Sequence, residues 1–327
     1  MAEVPEARYT AEDLLNAANS AGMPRSKPWL RSLVRDGLLD RPDKHGVQGQ
    51  RGGRAPGTWP ETQFQLFLAL VDQMQKGVRQ SATLCNVPVS IWLYFGPEYV
   101  PARQVRSALA TYGAQYRTAS IRRGRQTARG LALLFGGGPD MSRRDRNRLV
   151  EAIVTATRSG RFDRDSLIAA AGRIFDPERR GRTAGPDRAR LTPEAWVRTI
   201  EARLTALDRL DTLDEQVLED ARLTHDRHLA EYIELQPAFA GDREIGAIFE
   251  PVTLERLFNS ACIDTLTIVG FLELAREQNP AVTDKSAPRP RQRPGATARG
   301  GTAPHADQHA TARRRPVRES PQRSPTS

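Results

Sequence analysis

Four glycines, at positions 22, 37, 77 and 96, cut the first hundred residues into pieces of helix length. Each follows an apolar stripe with helical spacing. Glycine is the usual stop after such a stripe, because it alone takes the left-handed backbone turn of a helix end without a Cβ penalty. Leu14, Leu15 and Ala18 precede Gly22; Leu30, Leu33 and Val34 precede Gly37; Phe64, Phe67, Val71 and Met74 precede Gly77. The start signals agree with the stops. Thr10 is a capping residue with Glu12 and Asp13 in the first turn after it, Pro28 falls in the first turn of the second piece, and Pro60 opens the third. A shorter helix over Pro88–Phe95 closes at Gly96–Pro97.

Beyond residue 100 the periodicity predicts helices at 101–117, 120–135, 142–158 and 163–174. A long one runs from about Pro193 toward Leu235, with Ile200, Leu204, Leu207, Leu210, Val217 and Ala221 on one seam. The last covers about Val252–Glu277 and is apolar on a wide arc through Leu254, Leu257, Phe258, Ala261, Ile268, Val269 and Leu272. Such an arc suits a helix buried in a bundle or in a contact between copies. From Ala281 on, Pro, Arg, Ser, Thr, Gly and Ala dominate, a composition that cannot bury enough apolar surface to offset the entropy of ordering. The expected fold class is mainly α. Its expected parts are a flexible start at 1–8, a small domain at 9–80, a helical domain at 81–280 that dimerises, and a disordered basic tail at 281–327.

Charge and rare residues exclude several kinds of chemistry. Two cysteines, Cys85 and Cys262, can build neither a disulfide framework nor a four-thiolate zinc site. Gly136–Pro139 lacks the lysine and hydroxyl residue of a phosphate-binding loop, and His225 and His228 lack the preceding glutamates of a di-iron bundle, so they read as a solvated helix face. No histidine is paired in a pattern that would activate a serine or cysteine, so neither an enzyme, a metal nor a cofactor is expected. The N-terminus is acidic and polar, and the apolar runs at Phe64–Val71 and Leu266–Leu274 fall short of the roughly 20 residues a membrane span needs. A soluble, cytoplasmic protein with no membrane contact is the expectation.

The formal net charge of +10 is unevenly spread. Residues 25–54 carry eight basic and three acidic side chains, residues 101–149 eleven and two, and residues 281–327 ten and three; residues 150–280 are net acidic. Two basic blocks, an acidic middle and a basic tail suit a nucleic-acid binder. In the second helix Lys27, Arg31 and Arg35 stand four residues apart on one side, with Leu30, Leu33 and Val34 on the other. That arrangement can lie in a major groove while its back packs on the first helix. Arg25 sits just before the helix. The stretch HGVQGQRGGRAPGTW that follows has five glycines, Arg51 and Arg54 and no acid, so its backbone can approach phosphates closely. The run Arg117–Arg129, with five arginines, reads either as a solvated helix face or as an extension of the same surface.

These residues resemble the MerR family of winged helix-turn-helix regulators over about residues 9–80. The likeness rests on Trp29-Leu30-Arg31, on Gly37-Leu38-Leu39-Asp40-Arg41-Pro42, on the wing ending at Gly52-Gly53-Arg54, and on Trp59-Pro60-Glu61 opening the next helix. Ser32 stands where that family has an aromatic residue, and the wing is longer than usual. The resemblance implies an N-terminal winged helix-turn-helix on double-stranded DNA, with Arg31 contacting phosphate or base and Arg51 and Arg54 in the wing. Arg25, Lys27, Arg31, Arg35, Arg51 and Arg54 are therefore the candidate DNA contacts. Related regulators present two copies to a pseudo-palindrome, so a homodimer is expected. A non-enzymatic helical interaction or scaffold protein is the alternative.

Overall fold

The cap expected at Thr10 is complete in the computed structural model, which describes residues 7–43, 57–118, 143–159, 162–175, 192–239 and 253–278. The Thr10 hydroxyl accepts a hydrogen bond from the Asp13 N–H at 3.3 Å, and the Asp13 carboxylate accepts the Thr10 N–H at 2.7 Å. Two of the unsatisfied donors at the helix start are thereby paired, and the Thr10 N–H and hydroxyl, both donating to the Asp13 carboxylate, hold that carboxyl below the usual range. Helix α1 (Ala11–Ser20) buries Leu14 and Ala18. After a turn, α2 (Lys27–Arg35) buries Leu30 and Leu33, while Val34 is half-buried. Strand β1 (Arg8–Thr10) pairs antiparallel with β2 (Thr58–Pro60), Tyr9 opposite Trp59. Then follow α3 (Glu61–Gln75), the short α4 (Ser81–Leu84), α5 (Asn86–Phe95) and α6 (Ala102–Thr118).

Helix α3 turns a slightly different face inward from the one its aromatic residues suggest. Gln63, Leu66, Phe67, Leu70 and Val71 are buried, whereas Phe64 and Met74 are half-buried. Phe64 instead stacks flat on Tyr9, ring centres 4.0 Å apart, and so joins the helix to the strand pair. The Tyr9 hydroxyl donates to the Glu61 carboxylate.

The remaining elements are α7 (Arg143–Ser159), α8 (Arg164–Phe175), α9 (Pro193–Arg209), a 3₁₀ turn (Leu210–Thr212), α10 (Glu215–Phe239) and α11 (Leu254–Gln278). The long helix expected from Pro193 to Leu235 is two helices. It breaks between Leu210 and Asp214: the backbone at Leu213 is extended (φ −65°, ψ 125°), and the Asp214 carboxylate accepts the Gln216 N–H at 3.2 Å where the second helix starts. The break is fastened by Arg106, whose guanidinium donates to the Leu213 carbonyl at 2.6 Å. Of the expected seam, Ile200, Leu210, Val217 and Ala221 are buried within the single chain, and Leu204 and Leu207 are half-buried.

Two cores result. The larger runs from Leu14 through α2, α3, α5 and α6 to α10 and α11, so the packing continues across residue 80. The smaller joins α7 and α8 to the start of α9 through Leu149, Ile153, Leu167, Trp196 and Val197. Helix α11 approaches α9 so closely that a Cβ placed on Gly270 would lie 1.8 Å from the Ala202 carbonyl oxygen. Only a glycine permits that backbone contact. Beside it Arg203 donates to Thr267 at 2.8 Å, and Arg209 reaches the buried Glu273 at 2.8 Å.

Two further expectations are revised. His225 is not on a solvated face: it is 8% exposed and packs edge-on against Tyr94, ring centres 5.5 Å apart. It continues the buried face of Leu218 and Ala221, one turn at a time; His228 is exposed. Among the described residues one segment, Leu257–Gln278, is long and apolar enough to cross a membrane by length and composition alone, because its few polar residues are spread among apolar ones. In this fold Ala261, Cys262, Leu266 and Val269 of that segment belong to the larger core. The expected helix at 120–135 and tail at 281–327 lie outside the described residues, as does the run Arg117–Arg129 from residue 119 on.

Candidate nucleic-acid interface

The candidate surface is built on α2, whose end is held more firmly than its start. Ser26 precedes the helix without a side-chain cap, and Pro28 sits in the first turn, where its missing N–H has no partner to lose. At the other end the Leu38 N–H donates to the Leu33 carbonyl at 2.8 Å and the Gly37 N–H to Val34 at 3.2 Å. This is the glycine-centred helix stop, with Gly37 at φ 73°. Gly37 also lies directly on α6, where an added Cβ would be 2.3 Å from the Ala108 nitrogen. The direction of α2 is therefore set by a backbone contact as well as by Leu30 and Leu33.

On the opposite side Arg25, Lys27, Arg31 and Arg35 are all exposed. The Arg25 guanidinium lies over the Trp29 ring, 5.5 Å from its centre. Lys27 pairs with Glu12 at 3.2 Å, and Arg35 pairs with Asp36 at 2.9 Å, which pushes the Arg35 guanidinium still higher in pKa. Arg31 pairs with no acidic side chain among the described residues. Exposed pairs of this kind are worth about 0–1 kcal/mol, so Lys27 and Arg35 can exchange their carboxylates for phosphates at little cost.

The glycine-rich stretch begins and ends at neighbouring backbone positions. Asp43 and Thr58 form an antiparallel bridge, with the Asp43 N–H donating at 2.8 Å and the Thr58 N–H at 3.1 Å, and Arg8 pairs with Asp43 at 2.6 Å. Arg51 and Arg54 lie between these anchors and outside the described residues.

Spacing along the chain did not reveal the polar groups that lock this surface to the helices behind it. The Gln63 side chain accepts the Asp40 N–H at 2.9 Å and donates to the Tyr99 carbonyl at 3.1 Å and to the Gln104 side-chain oxygen at 2.9 Å. Gln104 in turn donates to the Leu38 carbonyl at 3.2 Å, and the Trp59 indole N–H donates to Asp40 at 2.8 Å. Arg103 grips the Asp40 carboxylate with two bonds, at 2.9 and 2.5 Å. One signal was present: Gln63 occupies the first position of the row 63, 66, 67, 70, 71, where the other members are apolar. Two arginines of the second basic block are thus engaged inside the chain, Arg103 with Asp40 and Arg106 with Leu213.

Cys85 and Cys262 are free and buried, and burial pushes the Cys85 thiol up to about 12. Among the described residues no group of three or more His, Cys, Asp or Glu side chains is placed to hold a metal ion. No family model matches the chain, and neither a curated protein nor a solved structure matches it.

Proposed function

We propose that the chain is a DNA-binding transcriptional regulator in which residues 9–80 act as a MerR-like winged helix-turn-helix on double-stranded DNA. One observation carries the reading: Lys27, Arg31 and Arg35 are all exposed on one side of α2, while Leu30 and Leu33 on the other are buried. An α-helix with a cationic front and an apolar back fits a major groove, and its arginines release counterions from the phosphates they neutralise. The anchored stretch between Asp43 and Thr58 is the wing, carrying Arg51 and Arg54 to the flanking backbone. In this reading the chain works in the cytoplasm without a cofactor, performs no catalysis, and binds as a homodimer.

The test is anisotropy of the full chain on duplexes enriched from a random pool, read across a salt series. Saturable, salt-sensitive binding that prefers the enriched duplex is expected. Arg31→Ala should cost about 1–3 kcal/mol if it reads bases, with the loss concentrated on the preferred duplex. A folded Arg31→Ala chain that binds like the wild type would remove α2 from the interface.

The alternative, a helical interaction or scaffold protein, is favoured by the carboxylates already beside the cations: Glu12 on Lys27 and Asp36 on Arg35. Under that reading the wild type binds the enriched duplex no better than the starting pool.

A further inference from the structure

A cleft of about 510 Å³ opens beside α2, on the side that carries Trp29, Ser32 and Asp36. Its size falls in the range of small-molecule sites, ~300–1,000 Å³. Its walls follow from two helix ends. The turn after α1 contributes Met23 and Arg25 to the lining, and the chain reversed after α3 by the left-handed stop at Gly77 contributes Val78 and Arg79. Met23, Trp29, Met74 and Val78 are only half-buried there, so open apolar surface shares one lining with two arginines.

The charge around that surface is unbalanced. Neither Arg25 nor Arg79 forms an ion pair among the described residues, and Arg25 is placed over the Trp29 ring. The single acidic residue in the lining, Asp36, already holds Arg35 at 2.9 Å. The cleft therefore offers two guanidiniums, an indole plane and two methionines. Guanidinium forks bind carboxylates with paired hydrogen bonds, aromatic planes take flat apolar bodies, and methionines adapt to irregular shapes.

We infer that this cleft binds a small amphipathic carboxylate, an aromatic or branched aliphatic acid whose anionic end meets Arg79 and Arg25 and whose apolar body lies against Trp29 and Met74. Duplex DNA would leave the apolar floor open. The inference goes beyond the DNA-binding reading and does not depend on it, because binding of the acid is measured without DNA.

The experiment is calorimetric titration of the full chain with indole-3-acetate and with 4-methylpentanoate, alongside indole-3-acetamide, the uncharged counterpart of the first. Saturable binding of at least one acid is expected, with the amide weaker than indole-3-acetate by about tenfold or more, the effect of losing a charge-assisted bond. Arg79 is exposed and outside both cores, so Arg79→Ala should keep the wild-type thermal midpoint and lose affinity by a similar factor, with Arg79→Lys between the two. The inference is overturned if neither acid binds saturably, if acid and amide bind alike, or if a folded Arg79→Ala chain binds like the wild type.

Discussion

Gly22 and Gly37 hold the same backbone angle, φ 73°, each just past the end of a helix, but their surroundings differ. Nothing lies within 4 Å of the position a Cβ would take at Gly22. At Gly37 the same Cβ would meet the Ala108 nitrogen at 2.3 Å and the Ser107 carbonyl carbon at 2.6 Å, and neither is the end of a flexible side chain. Alanine at either site bears the left-handed backbone penalty of about 1–2 kcal/mol. At Gly37 it must also push α6 back by roughly 1 Å in a close-packed interior, at a further ~1–3 kcal/mol. Gly22→Ala should therefore cost about 1–2 kcal/mol and Gly37→Ala about 2–5 kcal/mol. The second is a large share of the ~5–15 kcal/mol that holds a typical domain. Retreat of α6 also stretches the Gln104–Leu38 bond and the Arg103–Asp40 pair, which tie the residues after α2 to that helix. Urea unfolding followed by far-UV circular dichroism measures both variants against the wild type. Equal losses, within about 0.5 kcal/mol, would refute the claim that α2 is positioned by backbone contact with α6.

Three other perturbations probe the rest of the molecule. Gln63→Leu strands the Asp40 N–H and the Tyr99 carbonyl, so it should cost at least about 2 kcal/mol; Gln63→Leu with Gln104→Leu should cost less than the sum of the two single changes, which a double-mutant cycle on urea midpoints checks. His225 is held below its usual value of 6.5 first by burial and also by His228, with Asp264 and Asp226 opposing. A chain that resists protonating this ring when folded but not when unfolded keeps its full stability above about 6.5 and loses it as pH falls toward the depressed folded value. The stability difference between wild type and His225→Phe should accordingly shift against the wild type across that window, and a pH-independent difference would contradict the assignment. Cys85 and Cys262 should both be silent to an aromatic disulfide reagent in the folded protein and react after urea is added, since both are buried and the Cys85 thiol is held near 12; prompt reaction in buffer would show that α4 and α11 open readily.

What could be read from the sequence was what depends on a few neighbouring residues. The capping box at Thr10 and the stops at Gly22, Gly37 and Gly77 are complete within five or six residues, so residue type alone announces them. The two faces of α2 follow from a period of 3.6, which assigns Lys27, Arg31 and Arg35 to one side whatever the tertiary contacts. The break at Leu210–Asp214 is marked only by Asp214, a capping residue type inside an otherwise continuous apolar seam. It contains neither glycine nor proline, and the chain turns there through an extended Leu213 followed by Asp214, whose carboxylate accepts the Gln216 N–H. The Gln63–Gln104 and Asp40–Arg103 pairs join residues 41 and 63 positions apart, a separation at which spacing carries no information. The same distinction divides the two proposed surfaces. A cationic helix face is a property of one element and is legible because its residues are not needed by the core. The cleft has no single element: Trp29 and Asp36 come from α2 and its end, Met74 from α3, Arg79 from the following turn and Leu84 from α4. Its two arginines and its indole become one site only after Gly77 has reversed the chain, and that reversal is a local signal whose consequence is not local.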